Sequence, residues 1–330
     1  MNQHYPYRAT ILPVSEGASR PLWSVMIPTY NCAHYLRETL ASVLEQDPGI
    51  ERMQIEVVDD CSTLDDPESV VKELGQGRVS FYRQPENVGY IRNFETCLQR
   101  SRGQLIHLLH GDDCVSARFY HTMQSAFENN QQIGAAFCRH MVMDERGHWQ
   151  AISPLDQVES GILENWLERM AARQLIQTPS IVVRRNVYEE LGEVDRRISC
   201  NGEDWEMWVR IAKYYPIWYE VEPLALYRVH LSSLCGNSIR TGENIRDLRK
   251  VIDIIKQYLP PEKADSISSQ SLKFYAMEAI SYARKLAIEG DLKAAISQIQ
   301  EALKCNSSPK FIYSCMKLFS AQVLFHQVTN

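Results

Sequence analysis

Short apolar runs and longer amphipathic runs alternate through the first part of this chain, and no other feature narrows the fold so much. Trp23 to Tyr30 (WSVMIPTY) is apolar, β-branched and ended by Pro28, which reads as a buried strand. Ala33 to Gln46 then sets Leu36, Leu40, Val43 and Leu44 on one helical face. The change of period recurs, predicting strands at Gln54–Asp60, Val79–Arg83 and Gln104–His110 and helices at Glu68–Leu74 and Ile91–Gln99. Strand and helix alternating every ~25 residues predict an α/β fold with a doubly wound, mostly parallel sheet. Such sheets bind ligands outside the carboxyl ends of their strands. Those ends carry Pro28-Thr29-Tyr30-Asn31, Asp59-Asp60-Cys61-Ser62 and His110-Gly111-Asp112-Asp113, so polar chemistry lies where the topology puts a site.

Beyond Ala135 the pattern is less regular, with strand-like runs (AAFCRHMVM, SIVVRR, LALYRVH) around an acidic helix start at Asn201–Ala212. From Gly242 it becomes purely helical. Leu248, Val251, Ile252, Ile255 and Leu259 share a face, Pro260-Pro261 breaks the chain, and helices are predicted at Ser271–Glu289 and Leu292–Leu303. The expected division is a polar lead over 1–20, an α/β region over 21–240 (halves 21–115 and 116–240), and a small all-α region over 241–330.

Several function classes drop out. With 35 basic against 41 acidic residues and a net charge of −6, the chain has no footprint for nucleic acid. Nine scattered cysteines without a C-x-x-C pair predict neither a zinc site nor a disulfide framework, but reduced thiols in the cytoplasm. The first twenty residues lack the apolar stretch of a signal peptide, and no run of ~20 apolar residues predicts a spanning helix. The turn after the first strand has no glycine for a dinucleotide pyrophosphate, and neither a P-loop nor a G-x-S-x-G elbow occurs.

Three acidic pairs remain to be explained: Asp59-Asp60, Asp112-Asp113 and Glu203-Asp204. Adjacent carboxylates at a strand end repel each other, and burying them costs several kcal/mol unless donors or a cation compensate. A divalent ion bridging a diphosphate is one such compensation, and hard oxygen ligands suit Mg²⁺ or Mn²⁺.

The runs SVMIPTYNCAHYLRETLASVLEQ, IEVVDDCSTLDD, QPENVGYIRNFETCL and GQLIHLLHGDD, in this order, resemble the nucleotide-binding half of family 2 glycosyltransferases. TPSIVVRRNVYEELG, GEDWEMWVRIA and EPLALYRVHLSS resemble their acceptor half, so the likeness covers roughly residues 22 to 235. It implies a GT-A fold and inversion at the anomeric centre of a nucleotide-activated sugar, with UDP the commonest carrier. Pro28 and Tyr30 would line the base pocket, Asp60 would accept the imide N–H of the base, and Arg92 would lie against base or diphosphate. Asp112 would bind ribose or metal and Asp113 would be the principal metal ligand. The family's motif is often D-x-D where this chain has His110-Gly111-Asp112-Asp113, so the division between the two acids stays open. Asp204 would be the general base, because an attacking hydroxyl must lose its proton as the new bond forms. His230 would stand near metal or diphosphate, Arg228 and Glu203 would contact diphosphate or acceptor, and Trp205 and Ser180, the latter with Thr178 and Pro179, would face the acceptor.

The resemblance thus implies a metal-dependent (Mn²⁺ or Mg²⁺) transferase using a UDP-sugar and a saccharide or lipid-linked saccharide acceptor. A nucleotidyltransferase would need a glycine- and arginine-rich first loop, absent here. A noncatalytic sugar-nucleotide-binding or scaffold protein acting through its helical tail is the other alternative. Within that tail, YARKLAIEGDLKAAISQIQEALKCNSSP resembles a single tetratricopeptide-type hairpin turning at Gly290-Asp291, with Ala283, Ala295 and Ala302 at the crossings. Phe311 to Val328 is apolar with one lysine, and suits packing or homodimer formation better than peripheral contact at the inner face of the membrane.

Overall fold

The computed structural model describes residues 7–15, 17, 20–230, 234–313 and 315–316. The elements in chain order are β1 (Trp23–Thr29), α1 (Ala33–Leu44), β2 (Met53–Asp59), α2 (Pro67–Gly75), β3 (Ser80–Arg83), α3 (Tyr90–Arg100), β4 (Leu105–Leu108), β5 (Cys114–Val115), α4 (Phe119–Asn129) and β6 (Ala135–Met143). There follow β7 (Trp149–Ile152), β8 (Gly161–Ile162), α5 (Trp166–Ala172), a short 3₁₀ turn (Thr178–Ser180), β9 (Ile181–Arg184), α6 (Arg185–Leu191), α7 (Glu203–Tyr214) and β10 (Ile217–Arg228). The helices α8 (Leu234–Thr241), α9 (Glu243–Ile255), α10 (Pro261–Ile288) and α11 (Leu292–Cys305) complete the order.

The strands form one sheet in the order β3-β2-β1-β4-β9-β6-β10-β5, with β7 on the side of β6 and β8 on β10. The long registers, β1 with β2, β1 with β4 and β6 with β10, are parallel, while β9 runs antiparallel between β4 and β6. β1 and β2 are buried along their whole length, as expected of central strands covered on both faces. Leu36, Leu40 and Val43 of α1 and Phe119, Met123 and Phe127 of α4 join Val25, Ile27, Ile55 and Val57 in the main core.

Contacts divide the chain into two compact units that are not contiguous in sequence. The sheet unit takes residues up to Trp166, Ile176–Arg196 and Tyr214–Val229; the helical unit takes Leu167–Leu175, Arg197–Lys213 and everything from His230. The segment bearing Glu203-Asp204 therefore clusters with the C-terminal helices. Within this unit α10 begins ten residues before the predicted Ser271. Pro261 stands at the first helical position, where its missing N–H costs nothing, so the proline pair both ends one helix and starts the next. The α10–α11 hairpin buries Ala283, Ala287, Ala294 and Ala295, and the Asp291 side chain caps α11 by accepting the N–H of Ala294. Most of the apolar run from Phe311 to Val328 lies outside the described residues. The cysteines whose side chains are described are free thiols. Among the described residues, no helix is long and apolar enough to cross a membrane.

His107 on β4 is fully buried, with Nε2 3.0 Å from the Pro179 carbonyl and Nδ1 3.2 Å from the Tyr120 hydroxyl. A carbonyl only accepts, so Nε2 carries the proton and Nδ1 accepts from Tyr120: a neutral ring pins the 178–180 turn. Burial lowers the pKa of His107 to about 4, and burial, aided by the charge of Arg139, lowers that of His140 to about 4. The unfolded chain takes up protons that these rings refuse, so stability is expected to fall as pH drops from about 6.5 toward about 4. In denaturation midpoints across that window, His107→Gln should show a shallower decline than wild type; equal slopes would overturn the assignment.

Candidate active site

The loops after β1 and β2 cap one another. Asn31, with a left-handed φ of 50°, receives the N–H groups of Thr63 and Leu64 on Oδ1 (2.9 and 3.0 Å), and its own N–H donates to Ser62 Oγ at 2.8 Å. Asp65 Oδ2 accepts the N–H of Ala33 (2.6 Å) at the start of α1. Between them, the two acids of Asp59-Asp60 take different roles. Asp59 is fully buried and bonds Ser62 N and Oγ and Arg83 Nε (2.7 Å), which makes it the brace of the turn. Asp60 accepts the N–H groups of Val88 (2.8 Å) and Gly89 (3.0 Å) ahead of α3. Burial raises its pKa while these two donors oppose the rise. A carboxylate has about four lone-pair sites, so Asp60 keeps acceptor capacity for a ligand. Pro28 is buried in β1, whereas Tyr30 and Arg92 are exposed.

The turn after β4 is fastened to the end of β1. Gly111 donates to the Pro28 carbonyl (3.0 Å) and its own carbonyl accepts Thr39 Oγ1 (3.1 Å). A Cβ on Gly111 would meet Thr29 Oγ1 at 2.8 Å and Cys32 Sγ at 3.0 Å, so no larger residue fits that approach. Asp113 is then 1% exposed. Its Oδ1 accepts the backbone N–H of Arg228 at 2.8 Å; its Oδ2 has no hydrogen-bond partner, His110 Nδ1 standing off at 3.5 Å. Burial drives its pKa up to about 6, with the charge of Asp112 adding to the rise and His110 opposing it. Donor atoms of His110, Asp112 and Asp113 all lie within 4.8 Å of one another, which suits a small divalent cation. The His110 ring is itself fixed by stacking on Phe94 (5.2 Å, 12°).

Other predicted contacts are reassigned. The Arg228 guanidinium is buried and committed to the protein, donating to the Asp112 carbonyl (2.8 Å) and Glu38 Oε2 (2.7 Å) and lying over the Tyr35 ring. It braces the acidic turn rather than presenting a cation to diphosphate. Ser180 is buried and its hydroxyl donates its proton to the Gln177 carbonyl (2.6 Å), so that proton is committed to its own turn. Trp205 is fully buried, its indole N–H donates to the Met170 carbonyl (2.7 Å), and its ring packs on Tyr275, which removes it as a sugar platform. In the helical unit Asp204 is half-buried at the start of α7, its Oδ2 accepting Gln174 Nε2 at 2.7 Å. Glu203 is buried beside it, and His230, half-buried, follows the end of β10. His110 as a ligand, Glu38 and Gln174 join the residues that the sequence pattern singles out. Only His110 carried a signal, as the first position of H-G-D-D.

An uncharacterized protein of Mycobacterium tuberculosis is 25% identical over 276 residues, 78% of this chain and 82% of its own length. An uncharacterized glycosyltransferase of Rickettsia prowazekii is 22% identical over 69% of this chain and 70% of its own. Among solved structures, S. aureus TarS in complex with UDP-GlcNAc superposes with TM-score 0.62 at 14% identity, covering 87% of this chain and 91% of that one. The mannosyltransferase PcManGT of Pyrobaculum calidifontis, in complex with GDP-Man and Mn²⁺, gives 0.55 at 16% identity over 95% and 83%. These likenesses show a GT-A type α/β fold followed by helices. Residues 24–192 match the family described as Glycosyl transferase family 2, and with more than half of its length inside that match the chain belongs to glycosyl transferase family 2.

Proposed function

We propose that this protein is an inverting, metal-dependent glycosyltransferase that moves a sugar from a nucleotide diphosphate, UDP in the first place, to a saccharide or lipid-linked saccharide. Its catalytic region spans residues 21–240. The observation that carries this reading is Asp113: a buried carboxylate oxygen without a hydrogen-bond partner, clustered with His110 and Asp112 at the end of a parallel strand. Such an oxygen is costly to bury unless a cation completes it. Asp113, Asp112 and His110 would hold Mn²⁺ or Mg²⁺, with His230 a further candidate on the resemblance. The ion, when bound, would neutralise charge on the diphosphate.

The residues of the chain do the rest. Asp60 accepts the imide N–H of uracil, Tyr30 offers a ring face to the base, Pro28 shapes its pocket and Arg92 supplies a cation toward base or diphosphate. Asp204 takes the proton of the acceptor hydroxyl while the anomeric carbon gains its bond to the acceptor oxygen and loses its bond to the diphosphate oxygen, which leaves with the electron pair. One displacement inverts the centre and needs no covalent intermediate. TarS binds UDP-GlcNAc and PcManGT binds GDP-Man, so this fold accommodates either base. An acceptor-only carboxylate at Asp60 favours bases carrying a ring N–H, and cytosine has none.

In a thermal-shift panel of UDP, dTDP, GDP and CDP with and without Mn²⁺, UDP is expected to raise the melting temperature in a metal-dependent way and CDP to leave it unmoved. A shift with GDP alone would overturn the UDP assignment, and Asp113→Ala should abolish the metal dependence. In release of UDP from a panel of UDP-sugars, Asp204→Asn is expected to keep the thermal shift and lose about 10²-fold or more in turnover. Full turnover in that variant would remove Asp204 as the base, and a wild type that turns over none of the panel would overturn the donor class.

A further inference from the structure

The carboxylate of Asp204 is held from both sides. Oδ1 accepts the N–H of Trp205 at 2.7 Å and Oδ2 accepts Nε2–H of Gln174 at 2.7 Å. Only the amide nitrogen of glutamine can donate to a carboxylate, which fixes the orientation of the Gln174 side chain. Gln174 lies in the connector after α5, and its backbone N–H donates to the hydroxyl of Tyr275 (3.1 Å), a buried residue in the middle of α10. The Tyr275 ring packs on Trp205, the residue after Asp204, with centroids 5.3 Å apart. The approach to α7 is tied to the other C-terminal helices as well. Asp247 of α9 accepts Ser199 N (3.2 Å), Ser199 Oγ (3.0 Å) and Cys200 N (2.8 Å), and Asn201 Nδ2 donates to Ser238 Oγ of α8 (2.8 Å).

We infer that Gln174 is a positioning residue that aims the Asp204 carboxylate and favours its ionised form, and that Tyr275 holds Gln174, making α10 part of the catalytic apparatus. The inference rests on the reading of Asp204 as the base. A hydrogen bond donated to a carboxylate stabilises the charged form that a base requires, and a reacting group displaced by ~1 Å can lose ~10²-fold in rate.

The test uses the full chain and follows UDP release from whichever UDP-sugar of the panel the wild type turns over. Gln174→Ala leaves the backbone bond to Tyr275 in place. It should lower kcat about tenfold or more while the donor KM and the Mn²⁺-dependent shift with UDP stay as in wild type. Gln174→Glu keeps the shape and removes the donor, and should lose at least as much. Tyr275→Phe, which keeps the ring, should lower kcat by a smaller factor with the same unchanged KM. Wild-type kcat in Gln174→Glu, or a change confined to KM in Gln174→Ala, overturns the inference even where Asp204→Asn is inactive. Full activity in Asp204→Asn instead brings down the reading beneath it.

Discussion

The hydrogen bond from the backbone N–H of Arg228 to Asp113 joins the last residue of the longest strand to the turn that follows β4. It depends on β10 lying beside β6 from Ile217 to Arg228, with register shifts between Glu220 and Ala225, and pairing on its other side with β5 through Ala225 and Leu226, which brings Arg228 to the acidic turn. The bond satisfies one oxygen of a carboxylate that has left water and leaves the other without a hydrogen bond, His110 standing 3.5 Å away. Arg228 then folds its guanidinium back on the Asp112 carbonyl and on Glu38, so its charge stabilises the turn without occupying it. One contact thus links sheet register, turn conformation and the Asp113 oxygen that lacks a hydrogen bond. Moving β10 by a residue would turn Arg228 to the other face and undo all three.

Adjacent acids in a sequence look interchangeable, and this fold separates them by what each can reach. Asp59 is the last residue of β2, and its side chain closes on Ser62 and Arg83 inside the turn. Asp60 lies one step further on and meets the N–H groups of Val88 and Gly89, just ahead of α3. Both are desolvated, and donors from the chain replace the lost water. The second pair is handled differently: Asp113 receives a single backbone N–H on one oxygen and only the distant His110 near the other. A carboxylate whose oxygens are both met by the chain, as at Asp59, braces its turn, whereas the Asp113 oxygen that lacks a hydrogen bond is where the proposed cation would sit.

Much of the sheet unit was legible because it rests on periodicity. The strands beginning at Trp23, Met53, Ser80 and Leu105 fall within a residue of where the alternation put them, and Asp59-Asp60 and Asp112-Asp113 fall at or just past strand ends for the same reason. What resisted reading were partners distant in sequence. Nothing local to Ser180 shows that its hydroxyl closes on Gln177, and nothing local to Trp205 shows Met170 and Tyr275 waiting around its ring. An aromatic beside an acid suggests a sugar platform by composition, and burial reverses the suggestion. The proline pair misled for a related reason. Proline stops a helix from the inside and starts one from the outside, and only the hydrogen bonds from Lys263 and Ala264 to the Pro260 carbonyl show that the second sense applies.

A helical extension need not matter to a catalytic domain, and the periodicity of residues 243–305 alone would suit an appendage. The polar bonds argue otherwise. Residues 197–213 and 167–175 cluster with the late helices rather than with the sheet. The segment leading into α7 is an irregular stretch whose backbone N–H groups at Ser199 and Cys200 find their acceptor on α9. A loop supplies such precision only when rigid elements carry its second layer of contacts. Here that layer is α8, α9 and α10, so the helices act on Asp204 through the ground they give its neighbours: Ser238 under Asn201, Asp247 under Ser199, Tyr275 under Gln174 and Trp205.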